Sequence, residues 1–332
     1  MKNIKFKSII VLLLSLGMMG FIIAPEYNNI INTLKNVNLF WLICSVILYY
    51  IGFIIETKVL QTLIRQYKPK YTFRKSFRLN TITKFFNGIT PLASGGQPLQ
   101  VYELTKDDIK VSNGTNIIVE NFLLYQIALI ILSVICYVVN LIFKLVTLSS
   151  FISKMILLGF LLNLFLLIFA YIVGFNKKIN KAIVFKTTKL LHKLKIIKEK
   201  DKLIEKLEIT CNDFYNGFYN LRKNHILVLK GILYQFIALI LNFLVLIFIF
   251  KALSITISSN IIGIIVAGTF IFLAGSYVPI PGGTGGMEYA YIKVIGSFIK
   301  GSPLSSSLIL WRFITYIMPV IIGGITFNIK SE

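Results

Sequence analysis

Four ionisable side chains stand in stretches apolar enough to lie at membrane depth: Lys84, Glu120, Glu288 and Arg312. Burying a charge there costs at least ~2.5–3.5 kcal/mol on insertion scales, so each marks a candidate site. The chemistry they could do is recognition of charge. Arg312 offers a planar fork that donates to phosphate oxygens in pairs, and Lys84 offers a point cation. Glu120 and Glu288 would hold those cations in place or bind a cationic head group. Each also has a purely structural reading. Lys84 can snorkel to the surface, Glu120 can cap its own helix N-terminus, and Glu288 and Arg312 can form a buried pair, cheaper than either charge alone. Hydrolytic chemistry has no parts here. There is no Gly-x-Ser-x-Gly elbow, no Walker loop and no His pair for a metal. The cysteines Cys44, Cys136 and Cys211 form no CxxC motif. No cofactor and no metal are expected.

The elements that must position these groups are two interrupted apolar segments. Pro91-Leu92-Ala93-Ser94-Gly95-Gly96 and Pro281-Gly282-Gly283-Thr284-Gly285-Gly286 share the frame Pro-x-x-[Ser/Thr]-Gly-Gly, 190 residues apart. Proline removes a backbone donor and glycine loosens a helix. In hydrocarbon such backbone survives only where protein or a water-filled cavity covers it. A pair of broken segments in two halves is the sequence-level pointer to a transport site. Their half-helix N-termini would turn free N–H groups towards an anion. Ser94, Gln97, Gln100 and Thr284 would complete a polar cradle, with Tyr102, Tyr289 and Tyr291 as candidate lining. The alternative is that Gly95, Gly96, Gly285 and Gly286 serve close helix packing. A second echo, Leu124-Tyr125-Gln126 and Leu233-Tyr234-Gln235, has an offset of 109 and is read as coincidence.

Composition supplies the rest of the frame. The chain has 332 residues, 56% of them hydrophobic, which makes it an all-α polytopic membrane protein. The net charge of +22 sits in loops beside apolar spans, so it reflects the positive-inside rule rather than nucleic-acid binding. Spans are expected at Ser8–Ala24, Leu39–Ile55, Ile117–Phe143, Met155–Phe175, Ile226–Phe250 and Leu304–Phe327. The segment Lys58–Arg78 holds seven Lys/Arg and no acid, and Asn176–Asn224 holds thirteen against five, so both are expected in the cytoplasm with both termini. Parity then makes Thr81–Gln100 a re-entrant hairpin or an unresolved helix pair. The second broken element enters from the other face. The expected architecture is six full spans plus two broken elements (up to eight spans), an inverted repeat in one domain. Residues 1–175 and 225–332 are its halves, joined by a basic loop at 176–224 carrying amphipathic helices at Leu190–Leu207.

Three ordered motifs carry a family likeness. Thr90-Pro91-Leu92-Ala93-Ser94-Gly95-Gly96-Gln97-Pro98, Pro279-Ile280-Pro281-Gly282-Gly283-Thr284-Gly285-Gly286-Met287-Glu288 and Trp311-Arg312-Phe313-x-Thr315-Tyr316-x-x-Pro319 resemble the membrane domain of the lysylphosphatidylglycerol synthase/flippase family (multiple peptide resistance factor). The likeness spans about residues 5–328. It implies transbilayer movement of a lipid such as an aminoacylated phosphatidylglycerol, a plasma-membrane location, resistance to cationic peptides, and a role for Tyr316 beside Arg312. Asn121 follows Glu120 where many family members carry arginine. The soluble domain that transfers lysine from lysyl-tRNA in full-length relatives is not among these residues. Three readings stand: a lipid flippase, a phosphatidylglycerol lysyltransferase as relatives are often named, and a membrane partner of a separate lipid-modifying enzyme. The expected partners are anionic or aminoacylated phospholipids, with a second copy of the chain left open.

Overall fold

A computed structural model describes residues 35–182 and 223–329 apart from 257–259, with short pieces at 32–33, 185–186, 212 and 215–219. The expected span Ser8–Ala24 and the helical repeats at Leu190–Leu207 lie outside the described residues. Those described form helices and turns without a strand. In order they are α1 (Leu39–Arg65), α2 (Phe73–Ile89), α3 (Gly96–Lys106), α4 (Val111–Phe143), α5 (Ser150–Phe175), α6 (His225–Ala252), α7 (Ile261–Gly275), α8 (Gly286–Ile295) and α9 (Ser302–Asn328). Five of them, α1, α4, α5, α6 and α9, are long and apolar enough to cross a bilayer. Several ends are written in the sequence. Asn38 accepts from the amides of Phe40 and Trp41 to start α1, and Asn260 accepts from Gly263 to start α7.

Small residues bring the long helices together. At Gly159 of α5 a Cβ would lie 1.8 Å from the Leu273 carbonyl of α7, so only glycine permits that approach. Helices α1 and α6 run antiparallel, with the Asn38 amide donating to the Ala252 carbonyl at 2.8 Å. That bond fixes the start of α1 and the end of α6 at one end of the bundle. An extended core of α4, α6, α7, α8 and α9 side chains, including Phe250, Phe270 and Tyr291, fills that end. A second cluster around Leu60, Leu63, Leu104 and Ile117 fills the other. Large apolar side chains such as Ile43 of α1 and Leu158 and Phe165 of α5 point outward, the surface that lipid would cover.

The remaining helices form two hairpins. Helices α2 and α3 fold back on each other through the turn at 90–95. Its mouth is laced shut: the Tyr71 hydroxyl donates to Asp107 Oδ2 at 3.0 Å, Lys75 pairs with Asp107, and Arg78 lies 3.7 Å from Glu103. Burial, and then the Asp107 carboxylate, raise the Tyr71 phenol above its ordinary range, so it stays a donor. Entry and exit of this hairpin therefore share one end of the bundle. Helices α7 and α8 form the second hairpin, entered from the end where α6 stops. The turns of the two hairpins touch.

Candidate functional site

The shared sequence frame yields a shared backbone over its first positions. Thr90 and Ile280 are extended, at φ −118° and −112°, and each leads into a single 3-10 turn opened by proline. The next two residues are left-handed in both turns: Leu92 and Ala93 at φ 54° and 53°, Gly282 and Gly283 at 67° and 63°. The turns diverge from Ser94 and Thr284, where ψ is −13° and 137°, and at Gly95 and Gly285 φ is −82° and 88°.

Around the second turn a charged clamp is built. Arg312 Nε lies 2.7 Å from Glu288 Oε1, both side chains almost wholly buried. Arg312 Nη2 donates to the Gly282 carbonyl at 3.1 Å and to Thr284 Oγ1 at 3.4 Å. Glu288 Oε2 accepts the Gly285 amide at 2.7 Å, satisfying the N-cap donor at the start of α8. The guanidinium stacks 4.3 Å from the centre of the Tyr316 ring. Helix α9 makes this geometry possible by widening to a π turn over Phe313–Ile317. Pro319 supplies no amide and would crowd the carbonyl four residues back, which the wider turn relieves. The Tyr316 hydroxyl then donates to the Gly88 carbonyl at 3.0 Å, tying the second turn to the last residues of α2.

Between the hairpins and helices α1, α4, α5 and α6 lies a cavity of about 540 Å³. Its second cation is Lys84, whose Nζ lies 2.9 Å from Glu56 Oε2. Glu56 Oε1 accepts from Asn242 Nδ2 at 3.3 Å. Carboxamides dominate the remaining polar wall: Asn80 and Asn87 from α2, Gln97 and Gln100 from α3, Asn121 and Gln126 from α4, Asn163 from α5, Gln235 and Asn242 from α6. Nine amides on helices otherwise built of Ile, Leu and Phe make a polar chamber inside an apolar bundle. That arrangement suits a polar head group taken from the bilayer.

Residues 8–323 match the lysylphosphatidylglycerol synthase TM region. The chain belongs to that family. A search of curated proteins finds no match. Membership and the five apolar helices establish a multi-pass, membrane-embedded protein with a lipid-related role.

Within this family fold the expected site residues separate into three groups. Lys84, Gln97, Gln100, Arg312 and Tyr316 line the cavity. Thr284, Gly285, Gly286 and Glu288 stand behind it and hold the second turn. Thr284 also donates to the Pro281 carbonyl at 2.7 Å, and Gly286 sits where a Cβ would strike Val278. Ser94, Gly95, Gly96, Tyr102 and Glu120 are not in the wall. Ser94 and Tyr102 are exposed; Tyr102 lies beneath Lys106, 4.5 Å from its ammonium. The N–H groups expected to face an anion are occupied at home: Gly95 donates to Thr90 Oγ1 and Gly96 to Asn87 Oδ1, both at 2.9 Å. Glu120 is buried on another side of α4, and it caps nothing, because α4 begins at Val111 rather than Ile117. Tyr291 is buried and donates to Ser307 Oγ, and Tyr289 meets the Phe151 ring edge to face, both away from the chamber.

Sequence reasoning missed Glu56, which falls one residue past the predicted span and short of the basic segment. It also missed the carboxamides of α4 and α6. One signal was there. The Leu-Tyr-Gln echo read as coincidence contributes Gln126 and Gln235 to the same wall.

Proposed function

We propose that this protein moves a membrane lipid across the bilayer, receiving its head group in the chamber between the two hairpins. The observation that carries the proposal is the chamber itself: about 540 Å³ lined by two cations, a carboxylate and nine carboxamides, within a bundle of bilayer-crossing length. The matching φ pattern of the two turns supports reading the hairpins as halves of an inverted repeat. On that reading the head-group site is fixed and the two hairpins expose it alternately to either face. The basic segments then lie in the plasma-membrane cytoplasmic face with the chain termini. The family description directs attention first to phosphatidylglycerol and its lysyl ester. A separate enzyme that makes the lipid is the partner such a role calls for.

The test is lipid movement between leaflets in proteoliposomes of the purified chain, wild type beside Lys84→Gln and Arg312→Gln. Movement that either substitution slows at least about tenfold, roughly the loss of one charged hydrogen bond, supports transport through the chamber. Equal movement in all three proteins, or none of any lipid, rejects it.

A further inference from the structure

One buried acid takes no part in the chamber. Glu120 stands in the third turn of α4, 1% exposed, on the face turned away from the wall residues Asn121, Phe122 and Tyr125. Glu56 and Glu288, also inside the bundle, each have a cation: Lys84 at 2.9 Å and Arg312 at 2.7 Å. Glu120 forms no ion pair among the described residues, and its Oε2 is enclosed without a hydrogen-bond donor. An isolated carboxylate in such a place is far costlier than the neutral acid. Water does not reach that oxygen, so the ligand small enough to satisfy it is a proton.

The cover over Glu120 is a short helical piece, 215–219. Gly217 sits where a Cβ would strike the Asn116 side chain and the Tyr67 hydroxyl, and Asn116 is one turn before Glu120 on the same face. Phe218 is fully buried and packs with Leu123 and the end of α5. Of the titratable groups on the neighbouring elements, Tyr67 faces Glu120. Burial, and then the nearby Glu120, raise its phenol to about 12, so it stays a neutral donor. The charged groups are committed elsewhere or exposed. Arg65 donates to the Tyr71 carbonyl, Lys68 to that of Asp107, Lys106 pairs with Glu103, and His225 is exposed at the start of α6.

Helix α4 therefore carries a lone acid on one face and part of the chamber wall on the other. Resting on the transport reading above, we propose that Glu120 is a proton-binding site that couples the chamber to pH. It holds a proton in the conformation described here and gives it up when the 215–219 cover lifts and α4 shifts. In that step the acid O–H bond breaks, the proton passes to water, and the carboxylate is left beside segment 176–224, which has thirteen Lys/Arg against five Asp/Glu. The covered state holds the neutral acid and the uncovered state the carboxylate. Above the free glutamate value of about 4.3 the covered state is therefore lost as pH rises, by up to about tenfold per pH unit for one proton.

Two readouts on the full chain test this, wild type beside Glu120→Gln, whose amide copies the neutral acid. Difference infrared spectra in nanodiscs at neutral pH should show the carbonyl stretch of a protonated carboxylic acid in wild type and lose it in the variant. If Glu120→Gln does not fold, Glu120→Asp replaces it, and the band should shift rather than vanish. In proteoliposomes with phosphatidylglycerol or lysyl-phosphatidylglycerol as the probe, wild-type movement should change about three- to tenfold per pH unit between about pH 6 and pH 8, and the variant's should stay flat. No acid band in wild type overturns the proposal. So does a pH response equal in both proteins, or absent from both, which leaves transport standing. Immobility of both probes overturns the coupling together with the transport reading.

Discussion

The two turns share a sequence frame and most of a backbone, yet they are held differently. The second is clamped. Its left-handed positions are glycines, and Arg312, Glu288 and Thr284 fix it from three sides. The first places Leu92 and Ala93, which carry a Cβ, at the equivalent left-handed positions, a cost of about 1–2 kcal/mol each. Its glycine amides are held by the neutral side chains of Thr90 and Asn87, with no ion pair on the turn itself among the described residues, and Leu92 is exposed. Its nearest ion pair, Lys84–Glu56, is partly open to the chamber, with side chains 32% and 17% exposed against 4% and 5% for Arg312 and Glu288. The difference teaches that a repeated motif need not repeat its role. The clamped turn is a fixed reference, and the strained, lightly held one is where a change of shape would cost least.

The largest effect should come from breaking the clamp. Glu288→Ala or Arg312→Ala leaves a buried charge alone and should cost about 3–5 kcal/mol, seen as a drop in melting temperature in detergent. The paired change Glu288→Leu with Arg312→Met should recover most of that loss. The same operation on the first side, Glu56→Ala, leaves a partly hydrated Lys84 and should cost clearly less. Equal losses on the two sides would erase the contrast.

A smaller effect should separate the turns themselves. Gly282→Ala puts a Cβ at φ 67° and 2.3 Å from the Tyr316 ring, and should destabilise by about 1–3 kcal/mol. Leu92→Gly, at the equivalent position of the first turn, should instead be neutral or gain up to about 1 kcal/mol, because it relieves strain at a side chain that buries little. Opposite signs in paired thermal melts support the comparison, and matching losses refute it.

The smallest effect concerns the link between the turns. Tyr316→Phe keeps the ring over Arg312 and removes only the bond to Gly88, so the loss should be about 0.5–1.5 kcal/mol. If the first turn is the moving part, amide hydrogen exchange should also rise over 84–96 in this variant, with little change over 281–288.

The sequence alone determined the class and the outline. Runs of Ile, Leu and Phe of bilayer length dictate helices, because lipid leaves backbone groups no other partner. Pro and Gly in a repeated frame dictated where two segments break, since a ring-locked φ and a missing Cβ act locally. The burial of charge at Glu288 and Arg312 was legible too, from the cost of placing either alone in an apolar stretch. The tertiary structure decided which groups meet. Whether Lys84 faces Glu56, whether Glu120 points into the chamber or away from it, and whether Gln126 and Gln235 share a wall all depend on the rotation and axial position of packed helices. Such contacts are set by close approaches such as Gly159 on Leu273, made between residues far apart in the chain. The fate of the glycine amides was likewise beyond local reading, because the groups that satisfy them, Asn87 and Glu288, take up their geometry only once the hairpins have closed.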